Sequence, residues 1–276
     1  MQDLELIAAE TVEEVKSLWS RIDGLALANQ RRVLEAFRVA RVSDFHLRGS
    51  TGYAYGDPGR QALEEVYAAV FGTEAALVRP QIVSGTHAVA LCLYGVLRPG
   101  DELVTVQGKP YDTLEKVIYG APGALSEWGV HYTQIEPLPD GSVDEKRVAQ
   151  IARRQPRAVL LQRSGGYSWR RGLRLEQIAA LTGLIKELSP TTVVIVDNCY
   201  GEFVEEAEPP AVGADLCAGS LIKNPGGGIA PTGGYVAGRE ELVELAASRL
   251  TAPGLGRAVG PTLDCQRLLF QGLFLA

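Results

Sequence analysis

Thr192–Asn198 reads TVVIVDN, and Gly219–Tyr235 reads GSLIKNPGGGIAPTGGY. The first is a run of β-branched residues ending on an acid. Continuous runs of that kind suit strands buried on both faces of a parallel sheet. The second is a small-residue run ending on Lys223, followed at once by glycines. Asp197 and Lys223 therefore stand at the ends of two consecutive strands, 26 positions apart (223 − 197).

Outward from this pair, helix and strand patterns alternate. Two helical segments are expected at the start, 3–19 and 22–39, then a glycine- and tyrosine-rich loop, GSTGYAYGDPGR (Gly49–Arg60). Helices are predicted over 61–71, from the SGT turn at Ser84 to Leu97, and over 111–119, 143–153, 175–188 and 240–250. Strands are predicted over 75–78, 102–106, 131–136, 158–162, 192–196, 215–222 and 234–236. The alternation indicates an α/β fold, a mostly parallel sheet with helices on both faces. The last two strands lack an intervening helix, which makes one of them antiparallel. In such sheets ligands bind beyond the carboxyl ends of the strands.

Composition narrows the function classes. The 276 residues are 46% hydrophobic and 22% charged, with a net charge of −6 and no basic block. Nucleic acid and anionic membranes, which need a positive field, are poor partners for such a chain. The amino terminus carries acids where a secretion signal carries bases. No apolar run approaches the ~18–20 residues of a membrane span. Cys92, Cys199, Cys217 and Cys265 form no CxxC pair and read as buried thiols of a cytoplasmic protein. His46, His87 and His131 lack metal-ligand spacing. GLGRAVG (Gly254–Gly260) has the wrong spacing for a dinucleotide loop. GGYS around Ser168 is not a nucleophile elbow.

Asp197 and Lys223 fit one chemistry together. A primary amine captures an aldehyde as an imine, and a carboxylate holds a protonated ring nitrogen; pyridoxal phosphate needs both. Its phosphate needs donors, and VSGTHAVALCLYG supplies a small hydroxyl-bearing turn at a helix start. Ser84, Gly85 and Thr86 offer N–H and O–H groups there, helped by the helix dipole; a plain N-cap is the alternative use of Ser84. Ser220, three residues before Lys223, reaches the same phosphate. Tyr111 is placed either to stack on the cofactor ring or to pack at a helix start. Gln162, Arg163 and Ser164 follow a strand and face the proposed site. Tyr53, Tyr55 and Arg60 lie in a loop too glycine-rich for a core role and are candidate phosphate donors, including to a neighbouring subunit.

At this level the chain resembles the fold-type I pyridoxal-phosphate enzymes of cysteine and methionine metabolism. More closely, it is similar to the methionine gamma-lyase-like group often labelled aluminium-resistance proteins. GYAYGDPGR, SGTHA, LLQRSGGYSWR, VIVDNCYGEF and GSLIKNPGGGIAPTGGY carry the likeness, the last two most specifically. The resemblance implies that Lys223 is the Schiff-base lysine and Asp197 the pyridine partner. It implies that Ser84, Gly85, Thr86 and Ser220 contact phosphate and that Tyr111 stacks. Tyr53 and Tyr55 compete for a phosphate contact across a homodimer or homotetramer. The familiar SxTK is SLIK here, so one phosphate hydroxyl is absent.

The implied organisation is an N-terminal helical segment (1–48) and a cofactor-binding large domain (49–276). CQRLLFQGLFLA at the end has no stop signal, and the expectation is a helix cut short with a C-terminal small domain missing; an apolar helix docked in a dimer interface is the alternative. The implied activity is carbon–sulfur elimination at the β or γ carbon of an amino acid such as methionine, cystathionine or cysteine. A transaminase, a γ-replacement synthase or a non-catalytic cofactor-binding stress protein are the alternatives.

Overall fold

The computed structural model describes residues 2–166 and 169–276. It opens with one helix, α1 (Gln2–Val39), where two were expected. The expected break lay at Ser20–Arg21, but nothing there stops a helix. Gly24 is the weakest residue nearby, and a single internal glycine costs only about 1 kcal/mol. The C-terminal half of α1 docks on the body through Val33 and Ala36.

The remaining elements are α2 (Pro58–Phe71), β1 (Ala75–Arg79), α3 (Gly85–Val96), β2 (Glu102–Thr105), α4 (Asp112–Ile118), β3 (His131–Gln134), α5 (Glu145–Ala152), β4 (Ala158–Gln162), α6 (Leu175–Leu188), β5 (Val193–Asp197), β6 (Leu216–Ser220), β7 (Gly234–Gly238), α7 (Glu240–Leu250) and α8 (Gln266–Leu275). The seven strands form one sheet in the order β1-β7-β6-β5-β4-β2-β3. β7 runs antiparallel to both neighbours, and the pairings from β6 to β3 are parallel. The mostly parallel α/β sheet and the antiparallel strand after Lys223 are as the sequence led one to expect.

The period of two along the strands explains why they read as unbroken apolar runs. In β5, Val194 and Val196 enter one core with α2, α6 and α8, while Val193 and Ile195 enter the other with α3 and α7. Both faces are covered, so both sets must be apolar. Part of the apolar end of the sequence is buried in the same way, while Phe274 and Leu275 stay exposed. Leu269, Phe270 and Leu273 of α8 are buried, and Phe270 meets Phe37 of α1 edge-on at 5.6 Å.

Parallel pairing puts strand ends together. Gln162 of β4 is in register with Asp197, and Asp197 with Ala218 of β6. The carboxyl ends of β4, β5 and β6 thus form one edge, and β1, antiparallel to β7, delivers the start of α3 to it. Among the described residues no helix is long and apolar enough to cross a membrane, and no cluster of His, Cys, Asp and Glu is arranged to hold a metal ion.

Candidate active site

A cavity of about 890 Å³ opens at this sheet edge. Ser84, Gly85, Thr86, Tyr111, Ser164, Asp197, Ser220 and Lys223 all line it. Eight of the thirteen residues singled out from sequence therefore meet in one place, although they come from separate loops and strand ends spread over 140 positions (223 − 84 + 1).

Asp197 ends β5 and is fully buried. Its Oδ1 accepts the Cys199 backbone N–H at 3.1 Å. Burial pushes its carboxyl above the usual range, only partly countered by that hydrogen bond. Such a group gains from a cation placed beside it. Lys223 follows β6 in a turn that packs tightly. A Cβ on Gly226 would lie 1.7 Å from the Leu221 carbonyl oxygen, so the residues after the lysine cannot carry side chains freely. The lysine Nζ lies 4.0 Å from the centroid of the Tyr200 ring. Burial acts to lower its ammonium, but the surrounding Cys199, Tyr200 and Asp197 prevail and hold it above the ordinary value.

Opposite stands the start of α3. Ser84 is its N-cap, and its Oγ accepts the His87 N–H at 3.0 Å. The N-cap reading of Ser84 is thus present in the structure, and the hydroxyl proton stays available for donation. Gly85 is the closest approach: a Cβ there would sit 2.5 Å from Cys199 Sγ and 3.7 Å from both Lys223 Nζ and Ser220 Cβ. Ser220 is buried, and its Oγ accepts the Ile222 N–H at 3.3 Å. Tyr111 caps α4 and lies 3.4 Å from Thr86 Oγ1, which also meets Thr113 Oγ1 at 2.8 Å. Burial first, and then the Asp197 charge, push the Tyr111 hydroxyl well above its usual range. Burial likewise holds Cys199 as a thiol.

The other five, Tyr53, Tyr55, Arg60, Gln162 and Arg163, do not line the cavity. Tyr53 and Tyr55 are 78% and 64% exposed, lie side by side with ring centroids 6.0 Å apart, and are outside the cavity of their own chain. Arg60 is buried on α2, not displayed in the loop. Its guanidinium donates to the carbonyls of Ala54, Gly260 and Ala258 at 2.7–3.0 Å, which uses it as the loop's anchor and takes it away from any phosphate. Arg163 also turns away from the cavity. It binds Asn198 Oδ1 at 2.8 Å and Glu205 at 3.0 Å, pinning the turn after β5. Ser168 lies outside the described residues.

Tyr200 is the residue that sequence reading missed. Its φ is +68°, in the left-handed region that bulky residues rarely adopt. The signal was its place, three residues beyond a strand-end aspartate, but no residue pattern distinguished it from a loop aromatic.

A buried acid and an amine thus stand at neighbouring strand ends and face a helix start across a glycine. The profile of the family described as methionine gamma-lyase matches residues 4–276, and the chain belongs to that family. The uncharacterized protein YnbB of Bacillus subtilis is 46% identical over 99% of this chain and 66% of its own length. A Listeria innocua structure, provisionally named a cystathionine beta-lyase involved in aluminum resistance, superposes with a TM-score of 0.98 at 48% identity, over 100% of this chain and 68% of that one. A carbon-sulfur lyase involved in aluminum resistance from Clostridium novyi superposes with a TM-score of 0.95 at 42% identity, over 100% of this chain and 66% of that one. The chain thus spans about two thirds of the length of these relatives.

Proposed function

We propose that this chain is the cofactor-binding domain of a fold-type I pyridoxal-phosphate-dependent carbon–sulfur lyase acting on a sulfur-containing amino acid. The convergence of Lys223, Asp197 and the α3 start on one cavity carries the reading. The groups present fit the cofactor: Gly85 leaves a floor free of side chain between Cys199, Ser220 and Lys223, and Asp197 is a buried acid without a cationic hydrogen-bond partner among the described residues. The names borne by the Listeria and Clostridium relatives support carbon–sulfur cleavage as the reaction.

When bound, the cofactor supplies an aldehyde carbon and a pyridinium ring that withdraws electrons from the substrate Cα. The chain's own groups have distinct tasks. The N–H groups at the start of α3 and the hydroxyls of Ser84, Thr86 and Ser220 hold the phosphate, with the helix dipole favouring the anion. Asp197 holds the proton on the ring nitrogen; a cation there offsets the burial cost of its own charge. Tyr111 covers a ring face. Lys223 Nζ takes the substrate's Cα proton, and the Tyr200 ring at 4.0 Å steadies the resulting ammonium. Ser164 borders the substrate side.

Two chains are proposed to share their sites. The exposed Tyr53 and Tyr55 have no function in their own cavity, and Arg60 holds their loop in a fixed shape. A two-fold interface would bring each loop to the partner's phosphate.

The test of the reaction is release of 2-oxo acid and ammonia from L-methionine or L-cystathionine without an added keto-acid acceptor. Asp197→Ala should lose at least about 10-fold, the worth of one charge-assisted hydrogen bond, and more than Ser84→Ala or Ser220→Ala. Undiminished activity in Asp197→Ala would refute the assignment, and activity only with an acceptor would indicate a transaminase.

A further inference from the structure

Tyr200 and Lys223 stand on different turns, after β5 and after β6, yet the ring centroid and the amine meet at 4.0 Å. The Tyr200 turn is fixed from beneath by one hydroxyl. Tyr235 of β7 is fully buried and in register with Gly219 of β6. Its Oη accepts the Asn198 side-chain amide at 3.1 Å and donates to Glu202 Oε1 at 2.9 Å. Asn198 lies two residues before Tyr200 and Glu202 two residues after it, so one buried group pins the turn on both sides. Gly219 makes room for this. A Cβ there would sit 2.5 Å from Glu202 Oε1 and 2.8 Å from the Tyr235 hydroxyl. Held in this way, Tyr200 keeps its φ of +68°, which a bulky residue does not adopt unaided.

The Lys223 turn is short. Lys223 precedes a 3-10 turn, Asn224–Gly226, in which the Gly226 and Gly227 N–H groups bind the Lys223 and Asn224 carbonyls at 3.1 Å each. Behind it α8 packs at Gly272, where a Cβ would lie 2.5 Å from the Gly226 carbonyl oxygen. Towards the Tyr200 turn it is tied by Asn224. The Asn224 amide does not turn back on its own backbone, a common use of asparagine in turns. It reaches the Glu202 carbonyl, 22 positions earlier, and donates to it at 2.9 Å. Glu202 is thus joined through its carboxyl to the sheet and through its carbonyl to the residue next to the lysine.

We propose that Asn224 is a positioning residue for Lys223: its bond to the Glu202 carbonyl locks the two turns together and holds the amine over the Tyr200 ring. The proposal rests on the cofactor reading above and adds to it a control on the amine's reactivity. An aromatic face favours the ammonium form by about two- to fivefold. The consequences are opposed. Capture of an aldehyde needs the neutral amine, so the ring restrains it. Taking a proton from the substrate leaves an ammonium on Lys223, so the ring assists it. Asp197 and Cys199 also face the amine, and replacing Asn224 leaves both in place.

The experiment measures two rates on the full chain. Capture of pyridoxal phosphate by cofactor-free protein is followed by visible absorption at one mildly alkaline pH. Exchange of the L-methionine Cα proton in deuterium oxide is followed by NMR on the loaded protein. The variants are Asn224→Ala, Tyr200→Leu and the two combined; Asn224→Leu, which fills the space without a donor, gives a second form of the same test. Each single variant should capture the cofactor about two- to fivefold faster and exchange the proton more slowly by a similar factor. The combined variant should match Tyr200→Leu within about twofold, because without the ring the clasp has nothing to align. Damage to the fold would lower both rates together, and thermal midpoints will show it. Slower or unchanged capture in folded Asn224→Ala and Asn224→Leu, or additive effects in the combined variant, would refute the positioning role while the cofactor reading stands. If the wild-type protein captures the cofactor but exchanges no Cα proton, the lyase reading fails and the capture rates alone decide the proposal. Wild-type protein that captures no pyridoxal phosphate would overturn both.

Discussion

Replacing Gly85 by alanine puts one methyl group into the floor of the cavity, and the structure says what it meets. The added Cβ lies 2.5 Å from Cys199 Sγ. Carbon and sulfur in contact need about 1 Å more than that. Cys199 cannot yield freely, because it is buried and its N–H is bound to Asp197. Overpacking of this kind costs about 1–3 kcal/mol. The opposing gain in helix propensity, at most about 1 kcal/mol and smaller at the first helical position, does not cancel it. Gly85→Ala should therefore lower stability by about 1–2 kcal/mol in denaturant unfolding, net of that gain. Adding Cys199→Ala removes the obstructing sulfur, so the double variant should be more stable than the sum of the single effects by about 1 kcal/mol or more. Affinity for pyridoxal phosphate should behave differently. The methyl also lies 3.7 Å from Lys223 Nζ and Ser220 Cβ, so binding should stay impaired in the double variant after stability has returned. Additive stabilities, or a Gly85→Ala protein as stable as wild type, would refute this account of the cavity floor.

Two other expectations follow from the same geometry. Burial raises the Glu202 carboxyl to about 8; its Oε1 accepts from Tyr235 at 2.9 Å, while Oε2 has no partner among the described residues. A raised folded-state value means that its contribution to stability is complete below about 4.5 and is lost as pH climbs towards 8. At about 1.4 kcal/mol per unit, the ceiling on that loss is about 5 kcal/mol. Glu202→Gln should flatten the decline, so the two thermal midpoints should diverge between pH 5 and about 8 in favour of the variant, and parallel pH profiles would refute the buried-acid argument. For site sharing, mixing Lys223→Ala with Tyr53→Phe/Tyr55→Phe under subunit exchange should regenerate activity that neither variant has alone; no recovery, or a monomer by sedimentation, counts against it.

The parts of this molecule that could be read from sequence were those fixed by local chemistry. A β-branched run ending in Asp197 states both a strand buried on two faces and the residue at its tip, and the glycines after Lys223 state a turn too tight for side chains. Parallel pairing then does the rest, because strand ends that share an edge must meet. What escaped was set by distant partners. Arg60 looked like a loop donor because its neighbours are glycines, yet the carbonyls that bury it come from Ala258 and Gly260, some 200 positions away. Arg163 looked site-facing until Asn198 and Glu205 drew it beneath the turn. The continuity of α1 was hidden by a serine and a glycine that lower helix propensity without ending a helix. Tyr200 owes its position to a backbone conformation that its own side chain disfavours, and no propensity rule points to it.

The central claim is that Lys223 is the amine that captures the cofactor. Borohydride reduction of the protein loaded with pyridoxal phosphate, followed by proteolysis and mass mapping, tests it most directly. The account predicts one stable adduct, on Lys223, absent from Lys223→Ala together with the visible absorption of the loaded protein. An adduct on Lys186 or Lys109, or none at all on a folded protein saturated with cofactor, would contradict it.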